Sequence, residues 1–189
     1  MQGAFNSIFT RIMHCVGGAE DKDERLDLLD AEGRVVGTIR REDAHGSREK
    51  RHRAVHVFVT NTGGAILLQK RSENKSVQPG RWDTSCGGHV PAGESWENAA
   101  LRELAEEIGL FLPSPGSLRF SHEYWWKTGI ETERVRTYTV TSSGPFRFHP
   151  AEISEGRFWT SGEIMESLGS GIFTPNLLEE LRILGILPG

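Results

Sequence analysis

Residues 87–110 run GGHVPAGESWENAALRELAEEIGL. Two glycines open the stretch, and a loop holding Pro91 and Gly93 follows. Helical periodicity sets in after Glu94 and lasts to about Ile108, where Gly109 can end the helix. At about 100° per residue, Leu101, Leu104, Ala105 and Ile108 share one face, while Glu103, Glu106 and Glu107 gather on the nearly opposite one. Carboxylates at i, i+3 and i+4 repel by roughly 0.2–0.5 kcal/mol per pair. Such a helix either presents a solvated acidic face or faces a cation. Hard divalent ions such as Mg2+ take oxygen ligands, and a substrate diphosphate would supply the remaining oxygens.

Upstream, strands at 26–29 and 34–39 read as a hairpin over the turn Asp30-Ala31-Glu32-Gly33. A polar run covers 40–53, and a second strand pair at 54–60 and 65–70 turns at Asn61-Thr62-Gly63-Gly64. Gln78-Pro79-Gly80 leads into an extended piece from Trp82 through Cys86. Downstream, strands are expected at 118–126, 133–141 and 157–159. A short helix follows Thr160-Ser161, and a last one runs from Thr174-Pro175 to about Leu184. Strands and helices do not alternate regularly, so the fold class is α+β with a mixed sheet rather than a doubly wound one. Residues 1–24 read as an N-terminal extension and 25–189 as one domain.

The chain has 189 residues, with 22 Lys+Arg against 26 Asp+Glu, enough for one domain with a real core. A net charge of −4 argues against nucleic acid as a partner, because backbone binding calls for a basic excess. No apolar run is long enough for a bilayer, and the first 20 residues lack the basic start and unbroken apolar centre of a secretory signal. Cys15 and Cys86 alone cannot staple a secreted scaffold, so a cytoplasmic location is expected.

The segment resembles the signature of the Nudix family at every specified position: Gly88, Glu94, Arg102, Glu103, Leu104, Glu106, Glu107, Gly109 and Leu110. The resemblance implies an α/β/α sandwich with a mixed sheet and a loop–helix–loop catalytic motif. It also implies Mg2+-dependent attack of water on a diphosphate linked to some group X, with Mn2+ as the alternative ion. By position, Glu106 and Glu107 become metal ligands, and Glu103 a ligand or the base that activates water. Arg102 orients a carboxylate, Glu94 steadies the loop and Gly88 offers a backbone carbonyl. Leu104 and Leu110 are core.

A narrower resemblance links the chain to the type I isopentenyl diphosphate isomerases within that superfamily. Their second metal is held by three His and two Glu, matched here by His45, His52, His89, Glu131 and Glu133. Surface solvation of the histidines, and pairing of the two glutamates with Arg134 or Arg136, are the alternatives. Two positions depart from that group. Its reactive Cys falls at Gly87, and Cys86, one residue off, would face the opposite side and serve as a small buried apolar residue. Its cation-shielding aromatic falls at Asn176, after Phe173-Thr174-Pro175. A complete box without those two residues reads as a hydrolase. The isomerase is the alternative, and a non-catalytic nucleotide-binding module the third reading, one that loss of box carboxylates would mark.

Anion contacts are expected from Arg71, Arg53 and Lys70, within a basic set that includes Arg48, Lys50 and Arg51. Of Trp82, Tyr124, Trp125 and Trp126, the last two must point to opposite faces of their strand, so at most one of them lines a pocket. The expected partner is a small-molecule diphosphate. The apolar helix over 177–186 suits either the core or the interface of a homodimer.

Overall fold

In the computed structural model, residues 24–188 are described. The N-terminal extension expected over 1–24 lies outside them except for Glu24, whose carboxylate pairs with Arg41 at 3.0 Å. The chain runs β1 (Arg25–Leu29), β2 (Val35–Arg40), α1 (Arg41–Ala44), β3 (His52–Thr60), β4 (Ile66–Arg71), β5 (Trp82–Asp83) and β6 (Cys86–His89). It continues with α2 (Trp96–Ile108), β7 (Arg119–Lys127), β8 (Thr132–Thr141), β9 (Ile153–Trp159), α3 (Ser161–Glu166) and α4 (Pro175–Ile183).

β1 and β2 form their own hairpin, and the other seven strands form one mixed sheet with the path β5-β4-β3-β8-β7. β6 pairs with β3 and β9 with β4. Only β3 and β8 are parallel, in register from His52–Glu133 to Thr60–Thr141. That register matters for function, because it sets His52 beside Glu133.

β3 is buried on both faces, and its alternation sorts two cores. Val55, Val57 and Val59 pack with Ala99, Ala100, Leu104 and Ile108 of α2. Phe58 packs with Leu68, Ile164 of α3, and Leu177 and Leu181 of α4. Helices therefore cover both faces, as an α/β/α sandwich requires. Cys86 is fully buried in the α2-side core, and burial pushes its thiol pKa up.

Four expectations need correction. The extended piece from Trp82 through Cys86 is two strands: β5 joins β4, and β6 joins β3. β3 and β4 pair directly only at Val59–Leu67 and Thr60–Ile66, then diverge. At the fork, the Ser85 hydroxyl accepts from the Val59 N–H (2.7 Å) and donates to the Leu67 carbonyl (2.5 Å), bridging the gap. The strand expected at 157–159 begins earlier, at Ile153, because β4 offers it a longer edge. Finally, the polar run after residue 40 holds a short helix, α1, which fixes the position of His45 just beyond its end.

Candidate active site

The Ser95 hydroxyl caps α2 by accepting from the Asn98 N–H, and Gly109 closes the helix in the left-handed region at φ 67°. The acidic face expected there is not simply solvated. Glu103 and Glu107 are each only 8% exposed, and Glu106 is half-buried. Arg102 gathers this region. Its guanidinium donates to Glu103 at 2.6 Å, Glu106 at 3.1 Å, Glu94 at 3.2 Å and the His89 carbonyl at 3.1 Å. One cation thus ties the helix to the loop carrying Glu94 and to β6.

The glycines of β6 are needed for close approach. A Cβ on Gly88 would lie 2.4 Å from a Glu103 oxygen. The Gly87 N–H donates to Glu107 at 3.2 Å, the one hydrogen bond to that carboxylate among the described residues. Burial raises the pKa of both Glu103 and Glu107, and each is pushed further by neighbouring carboxylates. Glu152 adds to that pressure on Glu107, while Lys75, paired with Glu152 at 2.5 Å, relieves part of it. Nothing in the local sequence marks Lys75 or Glu152, because they arrive from separate loops. Buried oxygens short of compensating charge, beside backbone that no side chain obstructs, fit a hard divalent cation.

The five residues of the second set also come together. The ligand atoms of His45, His52 and His89 lie within 4.8 Å of one another. Glu133 stands 3.3 Å from the Nε2 atoms of both His52 and His89, and Glu131 stands 3.6 Å from His45 Nε2. The Nδ1 atoms of His45 and His52 are each 3.2 Å from a carbonyl, of Arg41 and Lys50 respectively. A carbonyl only accepts, so Nδ1 carries the proton and Nε2 is aimed inward, the arrangement metal-binding imidazoles use. His52 Nε2 is buried with no hydrogen-bond partner, which is where an ion fits.

Burial lowers the His45 pKa, helped by the other two rings, and burial likewise lowers that of His89. For His52 burial acts the same way, but Glu133 outweighs it and the pKa rises. Burial would raise Glu133, yet the facing imidazoles of His52 and His89, each 3.3 Å away, hold it well below the usual carboxylate range.

A further polar group lies on the same side of the sheet and escaped the sequence reading. His56 Nδ1 donates to Glu180 at 2.9 Å. Burial disfavours the imidazolium, but Glu180 overrides it and raises the His56 pKa to about 9. Burial opposes ionisation of Glu180 too, and its histidine partners hold it at about 2. The available signal was a four-residue spacing from His52 along one strand face.

The expected anion contacts divide. Arg53 is committed to structure: it pairs with Asp27 at 2.6 Å, bonds the Glu94 carbonyl at 2.9 Å and stacks on Trp96. Arg48 and Lys50 are held by the carbonyls of Thr128 and Asp43. Arg71 pairs with Asp83 at 3.3 Å and bonds the Val77 carbonyl at 3.0 Å. Lys70 is half-buried on β4. Trp126 pairs in register with Glu133, whereas Trp125 pairs with Arg134. Tyr124 donates to Asn176 at 2.5 Å.

A mixed sheet between helical layers, with a carboxylate-bearing helix entered through a glycine strand, defines the Nudix class of α+β sandwich. The model of the NUDIX domain matches residues 50–177, and the chain belongs to the Nudix family. It is 35% identical over 161 residues to an uncharacterised Nudix hydrolase of Streptomyces coelicolor, covering 82% of this chain and 84% of that one. It is 33% identical to an isopentenyl-diphosphate Delta-isomerase of Streptomyces griseus, covering 75% of this chain and 73% of the relative. The crystal structure of DR0079 from Deinococcus radiodurans superposes with a TM-score of 0.70 at 30% identity, covering 84% of this chain and 98% of that one. The chain is therefore an enzyme of the Nudix hydrolase class, in the isopentenyl diphosphate isomerase-like group. No described helix is long and apolar enough to cross a membrane.

Proposed function

We propose that the protein hydrolyses the diphosphate linkage of nucleoside diphosphates or related X-linked diphosphates, using a divalent cation. The observation that carries this reading is the convergence of buried Glu103 and Glu107 on Gly87 and Gly88, with Arg102 joining Glu94, Glu103 and Glu106. Glu103, Glu106, Glu107 and the Gly88 carbonyl would hold Mg2+ or Mn2+, which when bound neutralises phosphate charge and makes water more acidic. Arg102 fixes the carboxylate rotamers, and Glu94 fixes Arg102. A water oxygen attacks one phosphorus, its proton passes to a box carboxylate, with Glu103 the candidate, and the bridging P–O bond breaks with the second phosphate as leaving group. Arg71 and Lys70 on β4, with Lys75 in the loop beyond it, are the cations offered to the phosphates. Arg53 is left out of that role because its side chain is largely buried, with Nη2 held by Asp27 and the Glu94 carbonyl.

His45, His52, His89, Glu131 and Glu133 support a second cation site of mixed nitrogen and oxygen donors. That assembly, with the isomerase-named relatives, favours double-bond isomerisation of isopentenyl diphosphate as the second reading. Gly87 and Asn176 count against it, since neither offers the thiol nor the π face such chemistry uses. Glu106→Gln is the test of the first reading. Metal-dependent phosphate release should vanish while melting and circular dichroism stay as in the parent, and retained turnover would overturn the site assignment.

A further inference from the structure

The face of β6 turned away from α2 is walled by a chain of polar side chains that the hydrolytic scheme does not use. Glu180 of α4 is completely buried, and both its oxygens are engaged. One takes the His56 Nδ1–H at 2.9 Å, and the other takes the Thr137 hydroxyl and lies 3.4 Å from His122 Nε2. The His122 ring lies 5.6 Å from the Tyr124 ring, and the Tyr124 hydroxyl fixes the Asn176 amide oxygen. His122 Nε2 is buried without a hydrogen-bond partner. Along this wall, His56 Nε2, a donor in the imidazolium that buried Glu180 pairs with at 2.9 Å, and the Asn176 amide nitrogen are left to meet a ligand.

His56 stands directly over Gly87. A Cβ there would lie 2.5 Å from the imidazole Cδ2 and 3.3 Å from Nε2. The same glycine gives its N–H to Glu107. Gly87 therefore separates the box carboxylates on one side from the polar wall on the other.

We propose that the group X of a diphosphate held at Glu107 reaches past Gly87 to this wall, and that His56 and Asn176 are the specificity-determining residues for X, donating hydrogen bonds to an oxygen-bearing group such as a nucleobase or sugar and rejecting a hydrocarbon tail. The inference rests on the diphosphate reading above. A prenyl group would cover both donors without pairing them, and unpaired buried donors discriminate more strongly than a missing methylene can. Glu180 and Tyr124 are positioning residues: each aims its neighbour's donor by occupying that neighbour's other polar atom.

The test is equilibrium binding to the full chain with Mg2+, using inorganic phosphate, the four common nucleoside monophosphates and dimethylallyl monophosphate as probes. At least one nucleotide should bind about tenfold or more tightly than inorganic phosphate, as one charge-assisted hydrogen bond allows. The prenyl phosphate should bind no better than inorganic phosphate. His56→Gln, Asn176→Ala and Glu180→Gln should each erode the nucleotide preference while phosphate affinity stays within about twofold. A merely structural role would move both affinities together. Equal binding of all phosphates, or preference for the prenyl compound in the unmodified protein, would overturn the proposal. A nucleotide preference without hydrolysis of any nucleoside diphosphate would instead overturn the catalytic reading and leave this one standing.

Discussion

Two clusters of ionisable side chains face the glycine strand β6 from its opposite sides. On the α2 side, Glu94, Arg102, Glu103, Glu106 and Glu107 come from 14 consecutive positions and carry four acids against one base. On the other side, His45, His52, His89, Glu131 and Glu133 come from three distant segments, and backbone carbonyls hold the Nδ1 atoms of His45 and His52. The first cluster is crowded with oxygen and short of compensating charge; the second is a mixed nitrogen and oxygen pocket with an unpartnered Nε2. In the proposed scheme the helix takes the hard-ion chemistry of phosphate and the histidines a structural or orienting ion.

Removing a carboxylate from the helix should break this contrast most sharply. Glu107→Gln is expected to lower metal-dependent turnover on the order of 10³-fold, matching several kcal/mol of charge stabilisation, by steady-state kinetics. Arg102→Ala leaves the ligands in place but frees their rotamers, so a loss of about 10–100-fold is expected. Arg102→Lys should recover little, because a point charge cannot reach Glu94, Glu103, Glu106 and the His89 carbonyl together. His52→Ala should reduce bound Mn2+ by one equivalent in a paramagnetic titration, with a smaller effect on hydrolysis than Arg102→Ala. A larger effect would move the chemistry to the histidine side.

The last expectation concerns pH. Glu103 and Glu107 have folded pKa values raised above their unfolded ones, so the metal-free fold favours their protonated forms. Their contribution to stability is greatest at acid pH and declines as pH climbs from the ordinary carboxylate range through the raised values. A cation that binds the ionised pair reverses that decline. The rise in melting temperature on adding Mg2+ should therefore be larger near about pH 8 than near about pH 5, and an equal rise at both would contradict the burial argument.

Legibility in the sequence follows the same division. The box is local: a cap, a 3.6-residue period and a terminal glycine carry the helix and its acidic face without reference to the rest of the chain. The five His and Glu positions could be matched only through a resemblance, because their meeting depends on the parallel register of β3 and β8 and on β6 joining β3. A two-residue period tells which face a side chain takes but not which strand lies beside it. For the same reason Glu180 read as part of an apolar helix, and its pairing with His56, 124 positions away, left no mark. Arg53 erred in the other direction. A basic run suggested phosphate, whereas Asp27 and two loop carbonyls use its guanidinium to hold β1 against the box.

The most direct measurement is combined phosphorus and proton NMR of the protein with Mg2+ and a mixture of nucleoside diphosphates, nucleoside triphosphates, nucleotide sugars and isopentenyl diphosphate. The account predicts new monophosphate or orthophosphate resonances from a nucleoside compound, absent in Glu107→Gln. Dimethylallyl proton signals with both phosphates intact would contradict it and assign the chemistry to the isomerase reading.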